Sequence, residues 1–142
     1  MTDQWGLPLP WRRPPISAND RPHWAAKNKL AQEIKTAVGW VARAKKVPKL
    51  QAVMVEMVWY PGNNRRVDGE NFAPTLKYCV DGLVSVGILP DDDSERVLSS
   101  RSRAVIQRND PLRLTSPRLI LVIQDASALA PLPHYGPEGQ AL

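Results

Sequence analysis

The chain contains a stretch rich in β-branched and aromatic residues, QAVMVEMVWY at positions 51–60, which indicates the central element of the fold. Residues of these types favour extended backbone. Apolar side chains occupy both odd and even positions, which is typical of a strand with neighbours on both sides. The sequence PGNN at 61–64 has the composition of a turn and ends the strand. We therefore predict a central β-strand over residues 51–60.

Helical periodicity appears on both sides of this strand, over residues 24–46 and 72–86. The apolar positions are Leu30, Ile34, Val38 and Val41 in the first segment and Leu76, Val80 and Leu83 in the second. Pro74 is acceptable in the first turn of a helix, and Gly87 lies where the second helix should end. Two amphipathic helices are therefore expected.

Three further strands complete the prediction: an edge strand around Trp5–Leu9, one near Val97–Ile106 and one near Arg118–Gln124. The order β-α-β-α-β-β favours an α+β (α/β) fold, with a single mixed β-sheet of about four strands covered by two helices. Residues after 125 show little periodicity. We therefore expect one domain over residues 1–125 and a flexible C-terminal tail over residues 126–142.

The composition agrees with a single globular domain. The chain has 142 residues, of which 43% are hydrophobic and 23% charged, so wholesale disorder is excluded. The lone cysteine, Cys79, excludes an intramolecular disulfide and a Cys-rich zinc site. No apolar run approaches the roughly 20 residues of a membrane span, and the N-terminus lacks the apolar core of a secretory signal. We therefore expect a cytoplasmic protein without a membrane partner.

Charge is distributed unevenly along the chain. Residues 12–49 hold ten basic and two acidic side chains, and residues 96–118 hold six and one. Between them, residues 68–95 hold seven acidic side chains and one lysine. Basic segments attract polyanions such as nucleic acid, whereas carboxylates repel phosphates. A divalent cation bound by the acidic segment would remove this conflict.

The carboxylates concentrate in two short runs, RRVDGEN at 65–71 and LPDDD at 89–93. Asp68 and Glu70 are two residues apart, so in extended backbone both point the same way. If the chain after the second helix folds back, Asp91 and Asp92 come near them. Such a set of oxygen ligands suits Mg²⁺, with Mn²⁺ as the alternative ion. Lys77, on the intervening helix, could stabilise negative charge that develops beside the metal.

The same residues also admit purely structural interpretations. An Asp-rich loop can be a solvated turn or a helix cap, and Asp68 and Asn71 could cap the helix that follows. Lys77 could form an i, i+4 surface pair with Asp81. Arg65 and Arg66 could serve only as solubilising charge.

Taken together, four runs resemble the RusA-type crossover-junction endodeoxyribonucleases, which are common in bacteriophages and prophages. They are RRVDGEN at 65–71, PTLK at 74–77, DGL at 81–83 and GILPDDD at 87–93. The opening segments LPW at 9–11 and PPISAN at 14–19 are also similar to the start of that family. The resemblance covers roughly residues 7–124.

The resemblance implies a homodimer that binds four-way (Holliday) DNA junctions and, with Mg²⁺, nicks two opposed strands symmetrically. By position, the metal-binding catalytic carboxylates of the family fall on Asp68, Glu70 and Asp92, with Asp91 as an extra ligand. The functional lysine falls on Lys77, which would stabilise the transition state and contact DNA. In a phage-encoded member the site of action is the cytoplasm of the bacterial host.

Two residues of this sequence depart from the pattern of that family: Val67, which interrupts a region that is often more polar, and Glu70. Glu70 stands where the family usually has aspartate, and its extra methylene lets the carboxylate reach further. The adjacent Arg65 and Arg66 are assigned to backbone phosphate, a contact that reads no base sequence.

Two rival functions make different predictions. A non-catalytic protein of the same fold would bind branched DNA without cutting it. A hydrolase that uses paired carboxylates as general acid and base, for instance on glycosides, would need no metal. In that case the basic segments would have no purpose.

Overall fold

The computed structural model describes residues 3–17, 24–61, 72–105, 117–129 and 135–142. The elements in chain order are β1 (Gln4–Leu9), α1 (Trp24–Ala44), β2 (Val53–Tyr60), α2 (Ala73–Ser85), β3 (Val97–Ala104) and β4 (Arg118–Asp125). A short 3-10 turn, Ser127–Leu129, follows. The predicted order β-α-β-α-β-β is confirmed, as is the prediction of an α+β fold with two helices. In this part of the chain the strands form one mixed four-stranded sheet.

The sheet has the strand order β1-β4-β2-β3. β4 pairs antiparallel with both β1 and β2, whereas β2 and β3 are parallel, with Val53 opposite Val97 and Trp59 opposite Ala104. The predicted central position of β2 is confirmed, and β1 lies at an edge as expected. Because β2 and β3 are parallel, α2 forms the crossover between them. The C-terminal ends of β2 and β3 therefore lie on the same side of the sheet, and the chain leaves β2 on that side before it enters α2.

The hydrophobic core lies between the two helices and one face of the sheet. The periodic positions Ile34, Val38, Leu76, Val80 and Leu83 are buried as predicted, while Leu30 and Val41 are half-buried at its margin. The strands contribute alternate residues to this core, as expected for a sheet with one covered face. They are Leu7 and Leu9 from β1, Val53, Val55 and Met57 from β2, and Leu119, Leu121 and Ile123 from β4.

Both helices end close to the predicted residues. α1 ends at Ala44, two residues before Lys46, which adopts a left-handed conformation with φ of 58°. α2 ends at Ser85, and Gly87 follows with φ of 82°, a conformation that favours glycine. No helix in the described ranges is long and apolar enough to cross a membrane.

The residue that follows β4 is still attached to the sheet. The backbone N–H of Ala126 donates to the carbonyl oxygen of Ala52 at 2.9 Å, and Ala126 is buried. Further on, Tyr135 forms an antiparallel bridge with Ala141 across a tight turn. The predicted flexibility of residues 126–142 stays a prediction.

Candidate functional site

A cleft of about 510 Å³ opens between α2 and β3. Its walls come from the first half of α2, from β3 and from the loop that joins them. The lining residues are Ala73, Leu76, Lys77 and Val80 on the helix, Val97, Ser100, Arg101 and Ser102 on the strand, and Asp92 on the loop. The cleft thus has an apolar wall and carries both acidic and basic side chains.

The loop after α2 returns toward the helix before it enters β3. Two backbone hydrogen bonds fix its ends: Leu50 N–H donates to the Ile88 carbonyl at 2.8 Å, and Val53 N–H donates to the Arg96 carbonyl at 2.7 Å. Asp92 lies in the loop between these two hydrogen bonds and lines the cleft. Ala73, in the first turn of α2, lines the same cleft. The approach of Asp92 to Asp68 and Glu70 stays a prediction.

Asp91 and Asp92 are adjacent, exposed carboxylates on the surface. The backbone N–H of Asp92 donates to Oδ1 of Asp91 at 2.8 Å. The pKa of the Asp92 carboxyl is raised above its ordinary value, chiefly by a side-chain hydrogen bond with Asp91. Slight desolvation and then the negative charges of Asp91 and Asp81 raise it further. A cation placed beside this pair would relieve the repulsion.

Asp93, the third residue of the triplet, has a structural role. Its Oδ1 accepts from the backbone N–H groups of Glu95 at 3.0 Å and Arg96 at 3.1 Å. The Arg96 guanidinium also lies 3.0 Å from Asp93 Oδ2. This is the capping role that an Asp-rich loop commonly plays, and it fixes the turn that leads into β3.

Two basic residues of the cleft differ in how their charge is balanced. Lys77 is exposed on α2, and in the described parts of the chain no ion pair joins it to Asp81. Arg101 instead contacts the carboxylate of Glu56 on β2, which also accepts from Nε of Arg103 at 2.7 Å. Lys77 is therefore the cleft cation with greater freedom to meet an anion.

Four of the predicted site residues lie outside the described residues: Arg65, Arg66, Asp68 and Glu70. The described chain stops at Pro61, just after β2, and resumes at Phe72, just before α2. Phe72 is the N-cap residue of α2 and makes no side-chain cap hydrogen bond. Asn71 and Asp68 lie outside the described residues, so capping of α2 by their side chains stays a prediction.

Among the described residues, the oxygen donors of the acidic loop are of the type that a hard divalent cation binds. Asp91 and Asp92 offer exposed carboxylate oxygens, the ligand type that Mg²⁺ and Mn²⁺ favour. Within the described ranges, no group of three or more His, Cys, Asp or Glu residues is arranged to hold a metal. The predicted metal site would need further ligands, and Asp68 and Glu70, the residues predicted to supply them, lie outside the described residues.

Sequence reasoning missed several residues around the site. Arg101 was not assigned to it, because the pairing of β3 with β2 determines its position. Trp59 and Thr75, which tie the N-terminal segment to this region, were not identified either. The Trp59 indole N–H donates to the Arg12 carbonyl at 2.8 Å, and the Thr75 hydroxyl bonds to Ile16. Both contacts span more than 45 residues of sequence, so no local pattern indicates them.

Comparison with known proteins adds no assignment: no protein-family model matches this chain, and no curated protein matches it.

Proposed function

We propose that this protein is a Mg²⁺-dependent, structure-selective endodeoxyribonuclease of the RusA type, which resolves four-way DNA junctions by paired symmetric nicks. One observation carries the proposal: Asp92 and Lys77 line the same cleft, and its helical wall begins immediately after the segment that holds Asp68 and Glu70. An acidic residue from each of two separated motifs and the lysine between them would then act at one place.

The proposed division of labour follows from the side-chain types. Asp68, Glu70, Asp91 and Asp92 would hold the cation, which when bound lowers the pKa of water and neutralises phosphate charge. Lys77 would place its ammonium against the scissile phosphate, where negative charge grows in the transition state. Arg65 and Arg66 would hold the neighbouring backbone phosphates.

The proposed reaction is a phosphodiester hydrolysis. The oxygen of a water molecule bonds to phosphorus, the bond between phosphorus and the 3′-oxygen breaks, and a proton passes to that oxygen. The products are a 5′-phosphate and a 3′-hydroxyl. An exposed cleft of this kind suits a large substrate, because the phosphate can enter while the rest of the DNA lies along the basic surface.

A homodimer belongs to the proposal, since two opposed strands must be cut in a junction with two-fold symmetry. The expected place of action is the cytoplasm of a bacterial host. The proposal does not specify a sequence preference for cleavage, because contacts to phosphates read shape and charge rather than bases.

The deciding experiment incubates the purified protein with a synthetic four-way junction and with a linear duplex of matched sequence, each with and without Mg²⁺. We expect symmetric nicks in the junction alone, only with Mg²⁺ or Mn²⁺, and a dimeric mass by light scattering. Junction binding without any nicks would favour the non-catalytic alternative, a branched-DNA-binding protein of the same fold. Absence of both binding and nicking would refute the proposal.

A further inference from the structure

The N-terminal segment is attached to the end of β2 and to the first turn of α2. We use the name N-terminal strap for residues 11–16, Trp-Arg-Arg-Pro-Pro-Ile. Trp11 packs against the core, Pro14 is buried, and Ile16 is only 2% exposed. The two consecutive prolines restrict the backbone between these points. The backbone of the strap is therefore held in one conformation although it has no regular secondary structure.

Two sets of hydrogen bonds attach the strap to the elements that flank residues 62–71. Near the end of β2, the Trp59 indole N–H donates to the carbonyl oxygen of Arg12 at 2.8 Å. In the first turn of α2, the buried Thr75 hydroxyl accepts from the Ile16 N–H at 3.0 Å and donates to the Ile16 carbonyl at 2.6 Å. The strap thus spans from the last residues of β2 to the first turn of α2.

A contact between two aromatic rings also joins the end of β2 to the start of α2. The rings of Trp59 and Phe72 meet edge to face, with centroids 5.1 Å apart. Tyr60, the last residue of β2, has the guanidinium of Arg118 over its ring at 4.1 Å from the centroid. The end of β2, the start of α2 and the strap are therefore held together by side-chain contacts.

Arg12 and Arg13 lie between the two attachment points, and both side chains are exposed. Among the ion pairs of the described residues, none includes either arginine. Arg96, Arg101 and Arg103 differ, because each has a carboxylate partner within 4 Å. The strap thus presents two neighbouring guanidinium groups without a described counter-charge, on a backbone that is already fixed.

We propose that Arg12 and Arg13 are a phosphate-binding pair that holds the DNA backbone beside the start of α2, where one wall of the cleft begins, an inference that rests on the proposed function. A guanidinium binds phosphate oxygens through two parallel N–H donors. Fixing the backbone beforehand reduces the entropy lost on binding. The ligand is the phosphodiester backbone, so the pair contributes affinity and orientation without base preference.

The test compares two variants with the same change in net charge. The first is Arg12→Gln with Arg13→Gln. The control is Lys45→Gln with Lys49→Gln, because these exposed lysines precede β2, at the opposite end of that strand from Trp59. Six strand residues separate the ends by about 20 Å. Junction affinity is measured by fluorescence anisotropy across a salt series, with Ca²⁺ in place of Mg²⁺.

We expect the arginine variant to bind the junction at least tenfold more weakly, with the slope of log affinity against log salt reduced by about 2 for two lost phosphate contacts. The control should lose clearly less affinity than the arginine variant at the same salt, because its lysines lie away from the strap. Arg12→Lys with Arg13→Lys should recover part of the affinity, since the charge remains. All variants should keep the wild-type thermal midpoint.

Three results separate the possible failures. If the wild type binds and nicks the junction and the arginine variant matches it, the phosphate-binding role is wrong and the proposed function stands. An equal loss in the lysine control would also overturn the role, because the effect would then be one of total charge. If the wild type binds no DNA, both the role and the proposed function are wrong.

Discussion

Gly82 on α2 lies against the backbone of Lys35 on α1. A Cβ atom at position 82 would come within 3.0 Å of the Lys35 carbonyl oxygen and 3.1 Å of its Cα, with Val38 Cβ at 3.2 Å. Backbone atoms cannot turn aside as a flexible side chain can. The two helices therefore pack closely only because position 82 has no side chain.

The first prediction follows from this contact. Gly82→Ala should lower the free energy of unfolding by about 1 kcal/mol, because an overpacking cost of about 2 kcal/mol outweighs the gain in helix propensity of about 1 kcal/mol. Urea denaturation followed by circular dichroism measures the change. Ser85→Ala, at an exposed position of the same helix, is the control and should change stability little. A Gly82→Ala protein as stable as the control would contradict the close approach.

Thr75 is the second target, because its hydroxyl makes both polar contacts to Ile16. Thr75→Val keeps the shape of the side chain but removes the partner of a buried backbone N–H and carbonyl. We expect a loss of about 1–3 kcal/mol in the free energy of unfolding. Thr75→Ser keeps the hydroxyl and should lose less. Equal stability of the Val and Ser variants would show that these hydrogen bonds contribute nothing.

The third prediction concerns the reactivity of the buried thiol of Cys79. Burial raises the pKa of its thiol from the ordinary 9.0 to about 12. At pH 8 the folded protein should react very slowly with a thiol reagent such as Ellman's reagent, whereas protein in guanidinium chloride should react fully within minutes. Fast labelling of the native protein would mean that the thiol is accessible.

The same shift predicts how stability responds to alkali. Between pH 9 and about 12 the unfolded chain releases a thiol proton that the folded chain keeps. The free energy of unfolding should therefore fall as pH rises through this window. Other groups titrate there as well, so the measurement is the difference between the wild type and Cys79→Ala. That difference should shrink as pH rises from 9 toward 12.

Asp92 provides the direct test of the site. Asp92→Asn should abolish junction nicking while leaving the fold and junction affinity nearly intact, because a carboxylate ligand is replaced by a neutral group of the same size. Glu95→Gln, at an exposed position three residues later, should nick normally. Full activity of Asp92→Asn would remove Asp92 from the mechanism.

Much of the fold could be predicted because its signals are local. β2 is marked by three valines, a tryptophan and a tyrosine within eight residues. The end of α2 is marked by Gly87, which adopts the positive φ that glycine favours. The strand order was beyond prediction, because pairing depends on contacts between distant segments. Gln4 opposite Gln124 is the extreme case, since neither residue carries information about the other.

The candidate site was predictable in composition but not in arrangement. Asp92 and Asp93 are equivalent in the sequence, yet Asp93 turns to the N–H groups of Glu95 and Arg96 while Asp92 lines the cleft. Only the path of the loop distinguishes them. The predicted convergence with Asp68 and Glu70 stays a prediction.

The placement of β4 between β1 and β2 also affects how the protein is made. β1 leaves the ribosome before β4 and has no partner until β4, more than 100 residues later, has been synthesised. During that interval the nascent chain carries an unpaired strand, and β2 has one open edge. Contacts between such distant segments slow folding, and open edges promote association between chains. We expect the sheet to close only after translation has passed β4, so protein expressed without that strand should accumulate as aggregates.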